Sequence, residues 1–189
     1  IELASKNIGY TYPNPLVGSV IVCENKIIGE GSHAKYGESH AEVNAINSVK
    51  DKRLLKNSTL YVNLEPCNHY GKTPPCTEAI INNNIKKVVI GSQDPNKLVN
   101  GSGIEKLRSS GCNVSVGIMN KECDKLNKRF FTYHKLKRPF IILKWAETKD
   151  GFISPTKSVN TLKKVNWISG EDAKKLSHKW RSEEHSILV

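Results

Sequence analysis

One set of side chains in this sequence has the composition and spacing of a zinc site that is open to water. His40 and Glu42 stand two residues apart in His-Ala-Glu, Cys67 ends Glu-Pro-Cys, and Cys76 follows after eight further residues. Zinc accepts one neutral imidazole and two thiolates as three corners of a tetrahedron, and the fourth corner then remains for a water molecule. The sequence therefore predicts a zinc site at His40, Cys67 and Cys76, with hydrolysis as its chemistry.

Glu42 is the candidate for the group that moves protons in such a reaction. Zinc lowers the pKa of a coordinated water from about 16 to about 7, so that a nucleophile exists at neutral pH. We expect Glu42 to take the proton from that water, pass it to a ring nitrogen and protonate the departing amine. His-x-Glu, Pro-Cys and a further Cys, in this order, are the signature of zinc nucleobase deaminases. The predicted products are ammonia and a ring carbonyl.

Three alternatives remain open at this level. A structural zinc site would be closed by a fourth protein ligand, and His69 is the nearby candidate. A zinc-stabilised binding module would not need Glu42. A tRNA or nucleoside deaminase would usually have two residues between its cysteines rather than eight. The remaining cysteines, Cys23, Cys112 and Cys123, stand in apolar or mixed contexts that favour plain packing.

The elements that must position these residues alternate between strands and helices. Apolar and β-branched runs predict strands over residues 16–22, 26–31, 59–64, 87–91 and 114–116. Helical spacing predicts a helix that begins at His40, with Ser39 as its N-cap, and further helices over residues 77–83, 104–110 and 121–137. This alternation is typical of an α/β fold with a mixed, largely parallel sheet between two helical layers, a three-layer α/β/α sandwich.

A domain boundary is predicted where Lys137-Arg138-Pro139 interrupts the last helical pattern. Residues 1–137 then form a zinc-dependent deaminase domain, and residues 138–189 begin a second domain. In the second domain we expect strands over 140–143 and 186–189 and a helix over 170–180. About fifty residues bury too little apolar surface for independent stability. The chain begins with Ile1 and stops within a predicted strand, so we expect a fragment of a longer protein.

The composition favours a cytoplasmic enzyme with a small-molecule substrate. The 189 residues are 38% hydrophobic, and they contain neither an apolar run long enough to span a membrane nor a basic and apolar leader. The net charge of +11 is uneven, since residues 1–120 carry 13 basic and 10 acidic side chains and residues 121–189 carry 16 and 8. These scattered lysines have few aromatic neighbours, which favours a solvated surface over a nucleic-acid interface.

Several stretches of the chain resemble one family in particular, the bifunctional deaminase/reductases of riboflavin biosynthesis. The resemblance is carried by His-Ala-Glu, by the eight residues between Cys67 and Cys76, by Pro13-Asn14-Pro15-Leu16-Val17-Gly18, by Gly31-Ser32-His33 and by Asp94-Pro95-Asn96. It implies a cytidine-deaminase-like sandwich, and a homo-oligomeric assembly is expected with it. The implied reaction converts 2,5-diamino-6-(5-phosphoribosylamino)pyrimidin-4(3H)-one to 5-amino-6-(5-phosphoribosylamino)uracil and ammonia.

The resemblance also implies roles for individual residues. His40, Cys67 and Cys76 match the zinc ligands and Glu42 the proton carrier. The positions that match the lining of the substrate pocket are Asn14, His33, His69 and Lys72. A lysine beside the metal suits a substrate that carries a phosphate. Asp94 and Asn96 are expected at the ribose, although Asp-Pro-Asn is equally suited to a plain turn.

The segment after Arg138 resembles the opening of the family's reductase domain, which has a dihydrofolate-reductase-like α/β fold and uses NADPH. Ala146 and Trp167 fall at its NADP positions, and Arg181 falls at a substrate position. Val165 stands where many members have a serine that contacts substrate, so a polar contact from this side chain is not expected. Because later nucleotide-binding residues of the family are missing, we expect reductase activity from the parent protein and not from this chain.

Overall fold

The computed structural model describes residues 1–97, 99–153 and 168–184. Contacts within the chain divide it into two compact units, residues 1–140 and residues 141–189. The sequence analysis predicts this boundary three residues earlier. None of the helices in the described ranges is long and apolar enough to cross a membrane.

A five-stranded mixed sheet forms the centre of the first unit. Its strands are β1 (Gly18–Cys23), β2 (Lys26–Ser32), β3 (Thr59–Leu64), β4 (Lys87–Ser92) and β5 (Asn113–Val116), in the spatial order β2-β1-β3-β4-β5. β1 pairs antiparallel with both β2 and β3, whereas β3–β4 and β4–β5 are parallel. Glu24 and Asn25, with φ of 49° and 60°, make the tight turn between β1 and β2, as two-residue hairpins require.

Helices cover both faces of this sheet. The helices of the first unit are α1 (Glu2–Ser5), α2 (Ala41–Ser48), α3 (Cys76–Asn82), α4 (Ser102–Ser109), α5 (Asn120–Leu126) and α6 (Lys128–Leu136). Buried side chains of α2, α3 and α4 share one core with Ile21, Leu60 and Ile90 of the sheet. Since neighbouring strand residues face opposite sides, Gly91 faces away from that core, and a Cβ built on it would lie 2.4 Å from Cys123 Sγ of α5. The predicted three-layer α/β/α fold is confirmed.

The close approach of β2 to α2 places the start of α2 at the edge of the sheet. A Cβ built on Gly31 would lie 2.3 Å from the backbone N of Ala45 and 2.5 Å from the backbone O of Ala41. Only a residue without a side chain allows backbones to approach this closely. The first turn of α2, which carries Glu42, is therefore seated directly on β2.

Three local predictions are wrong. The N-cap of α2 is His40 and not Ser39, whose carbonyl instead faces the side chains of His33 and Asn44. The predicted helix over 121–137 is two helices, because Asn127 leaves the helical conformation and turns its side chain to the backbone of Leu16. Residues 140–143 form no strand, since none of the described residues pairs with them.

In the second unit the structure describes one helix, α7 (Glu171–Ser182), which corresponds to the helix predicted over 170–180. Thr148 and Phe152 close a short turn, with the Thr148 N–H donating to the Phe152 carbonyl over 2.8 Å. The predictions on Val165, Trp167 and residues 186–189 lie outside the described residues.

Candidate metal centre and cavity

The predicted metal ligands come from three elements that meet at one end of the sheet. His40 caps α2, Cys67 lies in the loop after β3, and Cys76 is the first residue of α3. The Nδ1 atom of His40 lies 3.5 Å from Cys67 Sγ and 3.3 Å from Cys76 Sγ. All three ligand atoms lie within 4.8 Å of one another.

This arrangement fits a tetrahedral zinc ion. Zn–N and Zn–S bonds of about 2.1 and 2.3 Å, at tetrahedral angles, separate the nitrogen from each sulfur by about 3.6 Å. The distances from His40 Nδ1 to the two sulfurs are close to this value. Among the described residues no fourth ligand joins the group, because His69 lines the neighbouring cavity but lies outside the cluster. The protein therefore provides three ligands, as open zinc sites do.

The surroundings of the two thiols favour the thiolate at Cys67 and the neutral thiol at Cys76. Hydrogen bonds, first with Cys76 and then with His40, lower the pKa of Cys67 to about 4. The hydrogen bond with Cys67, together with burial, raises the pKa of Cys76 well above its usual range. A divalent cation at this point would stabilise both sulfurs as thiolates. The donor set thus has the charge and the geometry that zinc requires.

Glu42 is buried beside this cluster. Its side chain is 3% exposed and is hydrogen-bonded with Cys76. Burial, and after it the charge of Cys67, raises the pKa of Glu42 to about 7. The carboxyl group also lines the same cavity as His40 and Cys67. Glu42 is thus placed to exchange protons with a molecule bound in that cavity.

A cavity of about 360 Å³ lies in front of the cluster. Its lining includes all the residues that were predicted for the substrate pocket in the first unit, namely Asn14, His33, His69, Lys72, Asp94 and Asn96. This volume is in the range of small-molecule sites. One cavity therefore collects side chains from widely separated parts of the sequence around the candidate metal centre.

The hydrogen bonds of His33 fix its tautomer. Nδ1 lies 3.2 Å from the Ser39 carbonyl, which can only accept, so Nδ1 carries the hydrogen. Nε2 then accepts from Asn14 Nδ2 over 3.1 Å. Burial lowers the pKa of His33, which is 2% exposed, so the neutral ring is favoured. Asn14 and His33 form one rigid pair in the cavity wall.

The loop between the two cysteines forms another part of the cavity wall. Lys72 Nζ lies 4.1 Å from the centre of the Tyr36 ring, which also lines the cavity. An ammonium group in this position is attracted to the aromatic face. The sequence analysis missed Tyr36, because a single aromatic residue in a polar loop has no spacing that indicates its partner.

Glu65 organises the part of the cavity wall that contains Asp94, and its own role was not predicted from the sequence. Its carboxylate is 4% exposed and accepts four backbone N–H groups, from Asp94, Gly101, Gly103 and Ile104, at 3.0–3.3 Å. It thereby ties the loop after β4 to the loop that carries Cys67. Asp94 is held in this way, and burial raises the pKa of its carboxyl group to about 6. For Glu65, the one signal in the sequence was its place in Glu-Pro-Cys, directly before a predicted metal ligand.

The residues predicted for a reductase site lie apart in the sequence from the residues of the metal centre and its cavity. Ala146 and Arg181 belong to the second unit and are exposed, and Trp167 lies outside the described residues. The guanidinium group of Arg181 donates to His178 Nδ1 over 2.7 Å. The structure therefore shows no assembled nucleotide site among the described residues of this unit.

Comparison with known proteins places the site in a family. Residues 1–92 match the family model "Cytidine and deoxycytidylate deaminase zinc-binding region". The chain is 48% identical over 189 residues to the riboflavin biosynthesis protein RibD of Aquifex aeolicus, and it spans 51% of that relative's length. Over 131 residues, 69% of the chain, it is 57% identical to the diaminohydroxyphosphoribosylamino-pyrimidine deaminase of Buchnera aphidicola, of which it covers 88%.

A solved structure extends this similarity to three dimensions. It is a diaminohydroxyphosphoribosylaminopyrimidine deaminase/5-amino-6-(5-phosphoribosylamino)uracil reductase from Thermotoga maritima, with a TM-score of 0.82 and 44% identity. The match covers 94% of this chain and 50% of that one. The chain thus spans about half the length of the two-domain relatives and most of the length of the single deaminase. By sequence and by fold, it belongs to the RibD family of riboflavin-biosynthesis deaminases.

Proposed function

We propose that this chain catalyses the hydrolytic deamination of 2,5-diamino-6-(5-phosphoribosylamino)pyrimidin-4(3H)-one to 5-amino-6-(5-phosphoribosylamino)uracil and ammonia. One observation carries the proposal: three zinc-type ligands cluster at the end of a cavity that two of them, His40 and Cys67, line together with a buried glutamate. A structural metal site needs neither an open position nor a buried carboxyl group beside it. The identity of the substrate is supported by the similarity to the Buchnera diaminohydroxyphosphoribosylamino-pyrimidine deaminase.

His40, Cys67 and Cys76 would hold zinc, and Glu42 would carry the protons. Zinc, when bound, supplies the Lewis acidity that makes water a nucleophile at neutral pH. Glu42 accepts a proton as the water oxygen bonds to the ring carbon that bears the amino group. It delivers that proton to the neighbouring ring nitrogen, then accepts the hydrogen of the new hydroxyl group and delivers it to the departing amine, so that the C–N bond breaks, the ring carbonyl forms and ammonia leaves. The contact between Glu42 and Cys76 keeps the carboxyl group at the reacting centre.

The other cavity residues bind and orient the substrate in this proposal. The neutral pair Asn14 and His33 offers hydrogen bonds to the edge of the pyrimidine ring. Lys72 provides the positive charge for the phosphoribosyl group, and it is held at the cavity by Tyr36. Asp94 and Asn96 also line the cavity, and they would contact the ribose hydroxyls.

We further propose that residues 141–189 open an NADPH-dependent reductase domain of the parent protein. The Thermotoga structure supports this, because that protein is a deaminase/reductase and its match covers 94% of this chain. Ala146, Trp167 and Arg181 keep their predicted roles as NADP and substrate contacts of the complete domain. A cytoplasmic location and a homo-oligomeric state complete the proposal, with no nucleic acid or membrane as partner.

The first experiment measures ammonia release by zinc-loaded protein from the diaminopyrimidine, with cytidine and a tRNA anticodon stem as parallel substrates. Turnover of the first alone is expected. Turnover of cytidine or tRNA instead would overturn the substrate assignment.

The second experiment compares Glu42→Gln with Glu105→Gln, an exposed glutamate on α4. Glu42→Gln should bind as much zinc as the wild type and lose at least about a hundredfold in kcat, since proton transfer is removed. Glu105→Gln should match the wild type. Undiminished ammonia release by a zinc-loaded Glu42→Gln protein would refute the role of Glu42.

A further inference from the structure

Two buried asparagines hold the segment that carries Asn14, and neither belongs to the metal site. Asn127 Oδ1 accepts from the Leu16 N–H over 2.8 Å, and Asn127 Nδ2 donates to the Leu16 carbonyl over 2.9 Å. Asn63 Nδ2 donates to the same carbonyl over 2.9 Å, and Asn63 Oδ1 accepts from the Gly18 N–H over 2.7 Å. We call these four hydrogen bonds the Leu16 clamp. Both asparagines are nearly inaccessible to solvent, at 4% and 6% exposure.

The residue type at position 127 is specific to this task. A side-chain amide presents an acceptor and a donor side by side, as the N–H and C=O of one residue in an extended strand do, so Asn127 binds both backbone groups of Leu16 as a neighbouring strand would. Aspartate would keep the acceptor but place a second oxygen against the Leu16 carbonyl. An apolar side chain would leave the Leu16 N–H without its partner and the Leu16 carbonyl with the Asn63 amide alone. Asn127 lies at the interruption between α5 and α6, outside both helices, and its side chain turns to Leu16 there.

The clamp acts on the cavity over a short and stiff path. Only Pro15, whose ring fixes its φ angle, stands between Leu16 and Asn14. Val17 accepts the backbone N–H of His33 over 2.9 Å, so the same segment also sets the position of His33. Asn14 and His33 then meet through their side chains at 3.1 Å. Displacement of Leu16 would move both members of this pair.

A second observation connects the α5–α6 junction to the cavity. Phe130 lies in the first turn of α6, three residues after Asn127, and lines the cavity. The junction therefore contributes one residue that forms the wall and one that positions it.

We propose that Asn127 is a positioning residue of the substrate site, which acts through the Leu16 backbone on Asn14 and His33. This proposal rests on the function proposed above. It gives Asn127 a role in substrate binding. The metal ligands and Glu42 are positioned by other elements, namely α2, α3 and the loop after β3. Loss of the clamp should therefore weaken substrate binding more than it slows the chemical step.

The test compares Asn127→Ala and Asn127→Asp with Ser58→Ala as a matched control. Ser58 is 1% exposed and donates to the Leu55 carbonyl over 2.7 Å, just before β3, and it does not line the cavity. Each Asn127 variant should bind zinc normally, raise KM about tenfold, as expected for a lost substrate hydrogen bond, and change kcat less than about threefold. Ser58→Ala should lower the melting temperature and leave KM unchanged.

Two measurements that do not depend on catalytic turnover keep this test separate from the test of the proposed function. Amide hydrogen exchange at Leu16 should become at least about tenfold faster in Asn127→Ala, and the ¹⁵N signals of the His33 ring should shift in both variants. If the wild type deaminates none of the substrates, the proposed function fails while these signals still decide the clamp. An unchanged KM, unchanged His33 signals, or an equal loss of zinc and kcat would each overturn the positioning role.

Discussion

Replacement of Gly31 by alanine should separate the helix of the proton carrier from the sheet. The new Cβ would lie 2.3 Å from Ala45 N, about 1 Å short of the 3.4 Å at which ordinary contacts begin. The obstructing atoms belong to the backbone of α2, so no side-chain rotation relieves the contact, and α2 must move by about that distance. Overpacking of this kind costs about 1–3 kcal/mol.

A shift of about 1 Å also affects the reaction, because Glu42 is the second residue of α2. Misplacement of a reacting group by about 1 Å costs about a hundredfold in rate. Gly31→Ala should therefore lose about a hundredfold in kcat and melt about 2–12 °C below the wild type, at 2–4 °C per kcal/mol for a chain of this size.

Two further glycine variants make the assay specific. Gly29→Ala brings a Cβ within 2.6 Å of Ala45 O and 2.5 Å of Val49 Cγ2, towards the other end of α2, so it should cost similar stability but less than about tenfold in kcat. Gly170→Ala has open space around its Cβ and should match the wild type in ammonia release. The three variants and the wild type are compared by zinc content, by differential scanning calorimetry and by ammonia release. A Gly31→Ala protein with wild-type kcat would refute the reasoning that this close approach positions Glu42.

Three further predictions concern the cavity walls. Glu65→Gln places an amide donor among backbone N–H groups, so it should cost about 1–3 kcal/mol and lower the melting temperature by several degrees, and an unchanged melting temperature would contradict the role of this carboxylate. The folded pKa of Asp94, about 6, lies above its usual 3.8, so its favourable contribution is present at low pH and is lost as the pH rises through 6. Between about pH 5 and pH 7 the wild type should therefore lose stability relative to Asp94→Asn, so that the melting temperature of the variant rises relative to that of the wild type. A difference in melting temperature that stays constant over this range would show that Asp94 does not titrate there. Lys72→Ala should raise KM for the diaminopyrimidine more than it lowers kcat, whereas a change in kcat alone would place Lys72 at the reacting centre.

The metal ligands could be predicted because their signal is local. His40 stands at the start of a helix, and the residues around Cys67 and Cys76 have a strand before them and a helix after them, so chemistry and secondary structure agree within short windows. The capping residue was assigned wrongly because Ser39 has the side chain of a good N-cap, whereas its carbonyl is used by His33, six residues earlier. The preference of serine for N-cap positions could not reveal the contact between the Ser39 carbonyl and His33.

Contacts between distant parts of the chain explain the other differences. The apolar pattern of 121–137 continues through Asn127, and only the Leu16 backbone, 111 residues away, explains why the helix is interrupted there. Phe130 was missed for the same reason, since an aromatic residue on an amphipathic helix usually belongs to the core. Residues 140–143 have strong strand preference, but preference alone does not supply a neighbouring strand to pair with.

The long reach of Asn127 sets an order of events on the ribosome. The last metal ligand, Cys76, is synthesised 51 residues before Asn127, an interval of about 3–10 s at 5–20 residues per second. During that interval the emerging chain contains its thiols, its imidazole and Asn63, while the segment around Asn14 still lacks its contact with Asn127. The order of synthesis therefore places all three metal ligands and Glu42 before the residue that positions Asn14 and His33.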